Sequence, residues 1–323
     1  MARPSPELVE RFRGDLGRLA GGQAGRVAVA VSGGPDSLAL LLLAGAAFPR
    51  EVRAATVDHG LRPASAAEAV HVATLCSRLG VPHRTLPVKV QSNARGIQAA
   101  ARDARYAALG AWMAQEGVSI LLTAHHLDDQ AETLLMRLMR GSGVAGLAGI
   151  RAVAPFPAGG ERARLCRPLL AWRRAELAEL VESAGIRAID DPSNVDPAFD
   201  RARLRARLSE TPWLHAAPLA RSAAALAAAE EALQWAVDRL EAERIAGDGD
   251  GFTLDPSGLP SELVRRLVRR VLSFLDAASE ARGEQLTRLI ETLEAGGTAT
   301  LAGAKATGGP LWRFERAPPR RID

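Results

Sequence analysis

The stretch Val27-Ala28-Val29-Ala30-Val31-Ser32-Gly33-Gly34-Pro35-Asp36-Ser37-Leu38-Ala39-Leu40-Leu41-Leu42-Leu43 decides the fold. A short run rich in valine, a glycine turn and a leucine-rich run read as strand, loop and helix. Adjacent glycines let backbone N–H groups turn toward an anion with no Cβ in the way. The helix that follows adds uncommitted N–H donors and the positive end of its dipole. Ser32 and Ser37 offer hydroxyl donors. Ser32, Gly33, Gly34, Pro35, Asp36 and Ser37 together therefore predict a phosphate site. This is not the lysine-bearing type of nucleotide loop. No Gly-Lys pair follows, and the chain has only two lysines, Lys89 and Lys305. An acid, Asp36, stands beside the phosphates instead. That makes sense if Mg²⁺ bridges it to the anion.

With 323 residues the chain is long enough for two domains or more. Its 47% hydrophobic and 24% charged residues are ordinary for a soluble globular protein. No uninterrupted apolar run has the length of a membrane span, and the N-terminus lacks the apolar core of a secretory signal. No membrane association is expected, and a cytoplasmic location is. Cys76 and Cys166 form no paired motif and are expected as inert packing in a reducing compartment. The net charge is +4, and nearly all of the 41 basic residues are arginine. Arg201, Arg203, Arg205 and Arg207 fall within seven residues, and Arg265, Arg266, Arg269 and Arg270 within six. Such clusters suit an RNA backbone and, equally, a solvated helix face.

Outward from the glycine loop, strands are expected at 26–32, 51–57, 82–90 and 118–124. Helices are expected at 1–21, 36–46, 64–79, 95–116, 128–140 and 172–184. Strands separated by helices imply an α/β fold, a doubly wound parallel sheet covered on both faces. Ligands of such sheets sit at the carboxyl ends of the strands. A glycine-rich segment fills 141–149, and Asp190-Asp191-Pro192-Ser193-Asn194 reads as a turn. After Pro212 the composition shifts to an alanine-rich helix over 218–245. Residues 1–212 are then a catalytic domain, 213–245 a helical linker and 246–323 a small α+β C-terminal domain. Within the last, 246–258 reads as loop, 259–295 as two helices and 298–316 as a hairpin turning at Gly308-Gly309.

A second motif, His125-His126-Leu127-Asp128-Asp129-Gln130-Ala131-Glu132-Thr133, follows the apolar run Ile120-Leu121-Leu122. Asp129 and Glu132 are three apart and share a helix face. Two acids beside an imidazole can bind a metal, a substrate ammonium or both. The same spacing also serves a helix capping box. The companion loop at the end of another strand favours chemistry over capping alone.

The hexapeptide 32–37 resembles the pyrophosphate-binding loop of the N-type ATP pyrophosphatases. Paired with His-His-x-x-Asp-x-x-Glu-Thr it resembles the tRNA(Ile)-lysidine synthetases. Val57-Asp58-His59-Gly60-Leu61-Arg62, Gln98-Ala99-Ala100-Ala101-Arg102-Asp103-Ala104-Arg105-Tyr106, Arg140-Gly141-Ser142-Gly143, Arg167-Pro168-Leu169-Leu170 and Asp191-Pro192-Ser193-Asn194 agree in order. The likeness covers roughly residues 25–210 and weakens beyond them.

The resemblance implies an adenine nucleotide alpha hydrolase-like fold. It also implies a reaction: ATP adenylates the C2 oxygen of the wobble cytidine in an isoleucine tRNA with a CAU anticodon. L-lysine then displaces AMP to give lysidine. ATP and Mg²⁺ are the implied cofactors, with tRNA and lysine as partners and room for a homodimer. Asp36 would hold the metal. Residues 32–37 and His59 would face ATP, and Asp129 and Glu132 the lysine ammonium. Arg105, His126, Arg201 and Arg205 would meet lysine or tRNA, and the small C-terminal domain over 246–323 is expected to bind tRNA. Three rival readings make different demands. A tRNA thiolase needs reactive cysteine sulfur or an Fe–S cluster. A small-molecule amide synthetase needs a nitrogen donor. A non-catalytic RNA binder has no use for the intact acids.

Overall fold

The computed structural model describes residues 2–22, 25–60, 65–90, 96–190, 196, 198, 200–211, 213–249, 251–275 and 283–317. The turn expected at 190–194 falls outside them after Asp190, as do Leu61 and Arg62. The chain divides into two compact units, Met1–Ala227 and Ala228–Asp323. The division falls inside the stretch read from sequence as the linker.

The first unit begins with α1 (Pro6–Ala20). Ser5 accepts a hydrogen bond from the N–H of Leu8, Pro6 opens the helix, and Gly21 closes it in the left-handed conformation. Phe12, Leu16 and Ala20 recur at spacing four and are buried. Strands and helices then alternate: β1 (Val27–Ala30), α2 (Pro35–Ala47), β2 (Val52–Asp58), α3 (Ser65–Leu79), β3 (His83–Pro87), α4 (Ile97–Glu116), β4 (Ile120–Leu122) and α5 (Leu127–Leu138). The short α6 (Val144–Leu147), β5 (Val153–Pro155), β6 (Arg164–Cys166), α7 (Arg174–Ser183) and α8 (Asp200–Ser209) complete the unit, and α9 (Ala216–Arg244) follows.

The sheet runs β3-β2-β1-β4-β6-β5, parallel except for β5, which pairs antiparallel with β6 at the edge. Val29 lies opposite Ala54 of β2 and Leu122 of β4. Alternate residues serve the two faces. Val27, Val29, Ile120 and Leu122 join the core built with α1, α2 and α7. Ala28 and Leu121 join Leu109, Trp112 and Met113 of α4 on the other side. Ser37 to Ala44 of α2 are all buried, as a helix apolar all round requires. The chain order reverses between β1 and β4, so a crevice opens at their carboxyl ends. Both motifs start there. The sequence reading lacked β5 and β6, each only three residues long.

In the second unit α10 (Ser261–Leu275) and α11 (Gly283–Glu294) cover a five-stranded antiparallel sheet of order β7-β8-β11-β10-β9. The strands are β7 (Ile245–Asp248), β8 (Gly251–Leu254), β9 (Thr298–Leu301), β10 (Ala304–Thr307) and β11 (Trp312–Arg316). Leu267, Val268, Val271, Leu286 and Leu289 pack with Trp312 and Phe314. Two expectations are corrected. The stretch read as loop over 246–258 contains a strand pair, and the C-terminal hairpin is three strands. Gly308 does lie in the β10–β11 turn, where a Cβ would come 2.1 Å from the carbonyl oxygen of Leu293.

Candidate active site

The loop after β1 is shaped by one hydroxyl. Ser37 Oγ accepts from the backbone N–H of Ser32 at 3.2 Å and of Gly33 at 3.1 Å, and donates to the carbonyl of Gly34 at 2.9 Å. Ser37 is therefore a brace, 7% exposed, rather than the phosphate donor expected from sequence. The N–H groups of Ser32 and Gly33 are likewise engaged. The open donors are those of the first turn of α2, which has no side-chain cap. Gly33 has φ +87°, and a Cβ there would come 2.2 Å from Ile189 Cδ1. Glycine is thus required both for conformation and for space.

At the start of α5, His126 is the N-cap and Asp129 the third residue of a reciprocal capping box. Asp129 Oδ2 accepts from the N–H of His126 at 3.0 Å. The capping box expected at Asp129 and Glu132 thus stands three residues earlier, with His126 as the cap and Asp129 as its partner, which leaves Glu132 out of it. His126 is 1% exposed. Its Nε2 lies 3.5 Å from Asp36 Oδ2 and 3.6 Å from Asp129 Oδ2, and its Nδ1 lies 3.6 Å from Asp128 Oδ2. Burial opposes charge on the ring, but Asp128, Asp36 and Asp129 outweigh it and raise its pKa to about 9. A protonated His126 therefore ties the glycine loop to α5. Protonation costs half of the capping box: the Asp129 N–H, 3.4 Å from Nδ1, loses its acceptor when that nitrogen carries a proton, which then faces Asp128 Oδ2 at 3.6 Å. Asp128 also accepts from the N–H of Arg174, joining the starts of α5 and α7.

Arg201 and Arg205 of α8 close over this helix turn. Arg201 Nε donates to Glu132 Oε2 at 2.7 Å, and its Nη2 to Asp129 Oδ1 at 3.0 Å. Arg205 Nε and Nη2 donate to Glu132 at 2.8 and 3.1 Å. The Glu132 side chain is 3% exposed and those of Arg201 and Arg205 40% and 27%. Asp36, Asp128, Asp129 and Glu132 thus face His126, Arg201 and Arg205 in one network, with the charges of Arg167 and Arg105 felt at the neighbouring His125.

Three buried side-chain atoms lack a hydrogen-bond partner among the described residues: Asp36 Oδ1, His59 Nδ1 and Arg167 Nε. Asp36 follows β1, His59 follows β2 and Arg167 follows β6, so all three stand at carboxyl ends of strands. Buried polar atoms are normally paired, so these three are candidates for contact with a ligand. Burial, and then the charge of Arg105, hold His59 below the usual histidine pKa, against Asp58. Burial depresses His125 to about 4, against Asp129 and with help from Arg167, Arg201 and Arg105. Both rings are neutral at pH 7. Arg105 and Arg102 lie against the Tyr106 ring at 5.3 and 4.8 Å.

The fold therefore gathers Asp36, His126, Asp129, Glu132, Arg201 and Arg205 into one network and leaves His59 and Arg105 beside it. His126, expected to meet lysine or tRNA, is 1% exposed and its ring faces Asp36, Asp128 and Asp129. Arg167 went unassigned in the sequence reading; the proline after it was its one local signal of a strand end. Among the described residues no three His, Cys, Asp or Glu side chains form a metal cage. Mg²⁺ in nucleotide sites needs only one or two carboxylates besides phosphate and water, and Asp36 Oδ1 fits that. Cys76 and Cys166 are buried free thiols. Burial pushes Cys76 up to about 12 and raises Cys166 as well. Neither is a sulfur nucleophile.

Residues 9–211 match the PP-loop domain family. The chain is 46% identical over 316 residues to the tRNA(Ile)-lysidine synthase of Zymomonas mobilis, covering 98% of this chain and 96% of that one. It is 49% identical over 315 residues to the tRNA(Ile)-lysidine synthase of Novosphingobium aromaticivorans, covering 97% and 95%. Among solved structures it is similar to the U34-tRNA thiolase NcsA of Methanococcus maripaludis, with a TM-score of 0.53 and 19% identity. That match covers 70% of this chain and 78% of the other. At that identity the likeness concerns the fold alone.

Proposed function

The chain belongs to the tRNA(Ile)-lysidine synthase family of PP-loop proteins, and from that premise we propose that it joins lysine to the wobble cytidine of a CAU-anticodon isoleucine tRNA at the expense of ATP. The C2 oxygen of cytidine attacks the α-phosphorus and pyrophosphate leaves. The lysine side-chain amine then attacks C2, loses a proton, and AMP departs with the oxygen. The observation that carries this reading is the arrangement of Asp36. One oxygen is linked through His126 to the acids of α5, and the other is buried and unpaired beside the phosphate loop.

The first-turn N–H groups of α2 cradle the departing pyrophosphate. Asp36 is the residue that would hold Mg²⁺, which supplies charge neutralisation on the phosphates. His59 and Arg167, with unpaired donors or acceptors, suit the nucleotide and the flipped base. The acids Asp129 and Glu132 suit the lysine ammonium, whose free pKa is about 10.4. Arg201 and Arg205 already hold Glu132, so they present its remaining face and orient it rather than waiting free for a carboxylate. Catalysis is assigned to the first unit, with the second free to hold other parts of the tRNA. No helix among the described residues is long and apolar enough to cross a membrane. The reduced, buried cysteines fit a cytoplasmic enzyme.

Incubation with tRNA and α-labelled ATP, without lysine, tests the order of steps. Label should accumulate on the tRNA and be chased as AMP when lysine is added. Pyrophosphate release that requires lysine from the start would contradict the adenylated intermediate.

A further inference from the structure

A cleft in the first unit lies away from the unpaired atoms, at the far end of the same helix pair. It has a volume of about 380 Å³ and is lined by Met136, Met139, Arg140, Asp200, Arg203, Leu204 and Arg207. From α5 into the turn that follows it, Glu132, Met136, Met139 and Arg140 keep the i, i+4 and i+3 spacings of one helix face. The catalytic end and the cleft thus share a helix face, separated by about 10 Å along the axis at 1.5 Å per residue. On α8, Arg201 and Arg205 point to Glu132, while Asp200, Arg203, Leu204 and Arg207 line the cleft.

Met139 is 71% exposed and the neighbouring Leu138 is 56% exposed. Contiguous apolar exposure with a charged rim marks a contact site. The rim has three arginines and one aspartate. Arg140 and Arg203 share Asp200, and Arg207 lies 3.5 Å from Glu210. These ion pairs are largely solvent-exposed, hold little energy and exchange readily for another anion. Methionines adapt to a flat ring face, and arginines bind phosphate with two parallel hydrogen bonds. An apolar floor that takes a ring, with a cationic rim that takes a phosphate, is complementary to a nucleotide of single-stranded RNA.

We infer that this cleft receives an unstacked anticodon-loop nucleotide next to the reacting cytidine, its base on Met136, Met139 and Leu204 and its phosphate on the arginine rim. The inference rests on the proposed function, since it needs the wobble base in the adjacent crevice. The cleft fixes the loop's register while its neighbour enters the site.

The test uses the full chain, a CAU-anticodon isoleucine tRNA transcript, and the variants Met139→Asp and Arg207→Ala, both at exposed positions. Met139→Asp should raise the KM for tRNA about tenfold, with the KM for ATP and lysine and the saturating kcat unchanged. Arg207→Ala should reduce the slope of log affinity for tRNA against log salt by about one. Wild-type tRNA KM and salt slope in both variants, with lysine transfer intact, would overturn the cleft's role alone. A change in self-association in place of the tRNA KM would reassign it to a second copy of the chain. Absence of lysine transfer by the unmodified protein would instead defeat the proposed function, and the cleft's role with it.

Discussion

Arg205 grips both oxygens of Glu132, with Nε 2.8 Å from Oε1 and Nη2 3.1 Å from Oε2, while Arg201 holds Oε2 from the other side at 2.7 Å. A carboxylate so enclosed ties α5 to α8. Glu132→Ala would leave two guanidinium groups without their anion. Breaking a buried pair costs about 3–5 kcal/mol, and the 40% exposure of Arg201 reduces this to about 2 kcal/mol or more. Thermal melting should show that loss. Glu132→Gln keeps the shape and should fold, with lysine transfer reduced more than adenylation. Equal loss of both steps in Glu132→Gln would move Glu132 to the metal or ATP.

Asp36→Asn removes the anionic oxygen next to the phosphates and one of the partners of His126. Pyrophosphate release should fall at least about 100-fold, in line with losing an electrostatic stabiliser of the transition state. Raising Mg²⁺ should not restore it. Recovery at high Mg²⁺ would show that another group carries the metal.

Ser37→Ala deletes the acceptor for two loop N–H groups and the donor to Gly34. The loop should lose its pre-set shape, raising the KM for ATP about tenfold, with the saturating kcat less affected. Gly33→Ala should be worse, because φ +87° and the contact with Ile189 both oppose a side chain. An active Gly33→Ala enzyme with an unchanged KM for ATP would refute this loop geometry.

The folded-state pKa of His126 is raised to about 9 from an ordinary 6.5. The stabilisation is therefore complete below about pH 6.5 and is lost as pH rises through about 9. A shift of that size corresponds to about 3 kcal/mol. Denaturant melts of metal-free protein should weaken by that order between pH 6.5 and 9.5, and His126→Gln should flatten the dependence. Parallel curves for the two proteins would mean that His126 is neutral.

The C-terminal arginine cluster, which from sequence suits an RNA backbone or a solvated helix face equally, is mostly paired within its own unit. Arg266 makes a two-pronged contact with Glu230 at 2.9 and 2.7 Å, and Arg270 contacts Asp238. Arg265 is paired with Glu262. Three of the four charges are thus paired within the unit, while Arg269 is exposed, which favours the solvated-face reading over an RNA-facing stripe. Arg266→Ala should lower thermal stability and leave the salt dependence of tRNA binding unchanged. A reduced salt slope would restore the RNA-facing reading.

Much of the architecture was legible because its signals are local. The valine-rich run, the double glycine and the leucine run announced β1, loop and α2, and the apolar run 120–122 announced β4. The strands that were missed are short and carry weak patterns. Arg164–Cys166 has three residues, and Ile245–Asp248 with Gly251–Leu254 hides in a Gly- and Asp-rich stretch. That pair is joined by two residues, and Gly249 has φ +59°, a hairpin signal that composition alone masked. In the site, Asp36, Asp129 and Glu132 were legible from motif spacing. The partnership of Glu132 with Arg201 and Arg205 spans about seventy residues of sequence and arises only from the packing of α5 against α8. The orphaned Nε of Arg167 is likewise a property of the fold, since only burial makes it exceptional.

The most direct test is transfer of radiolabelled lysine by the purified protein to an isoleucine tRNA bearing CAU, with ATP and Mg²⁺. The account predicts label on the tRNA that requires ATP and disappears when the wobble cytidine is replaced by uridine. No label on that tRNA, with AMP released on another RNA or a small molecule, would contradict it.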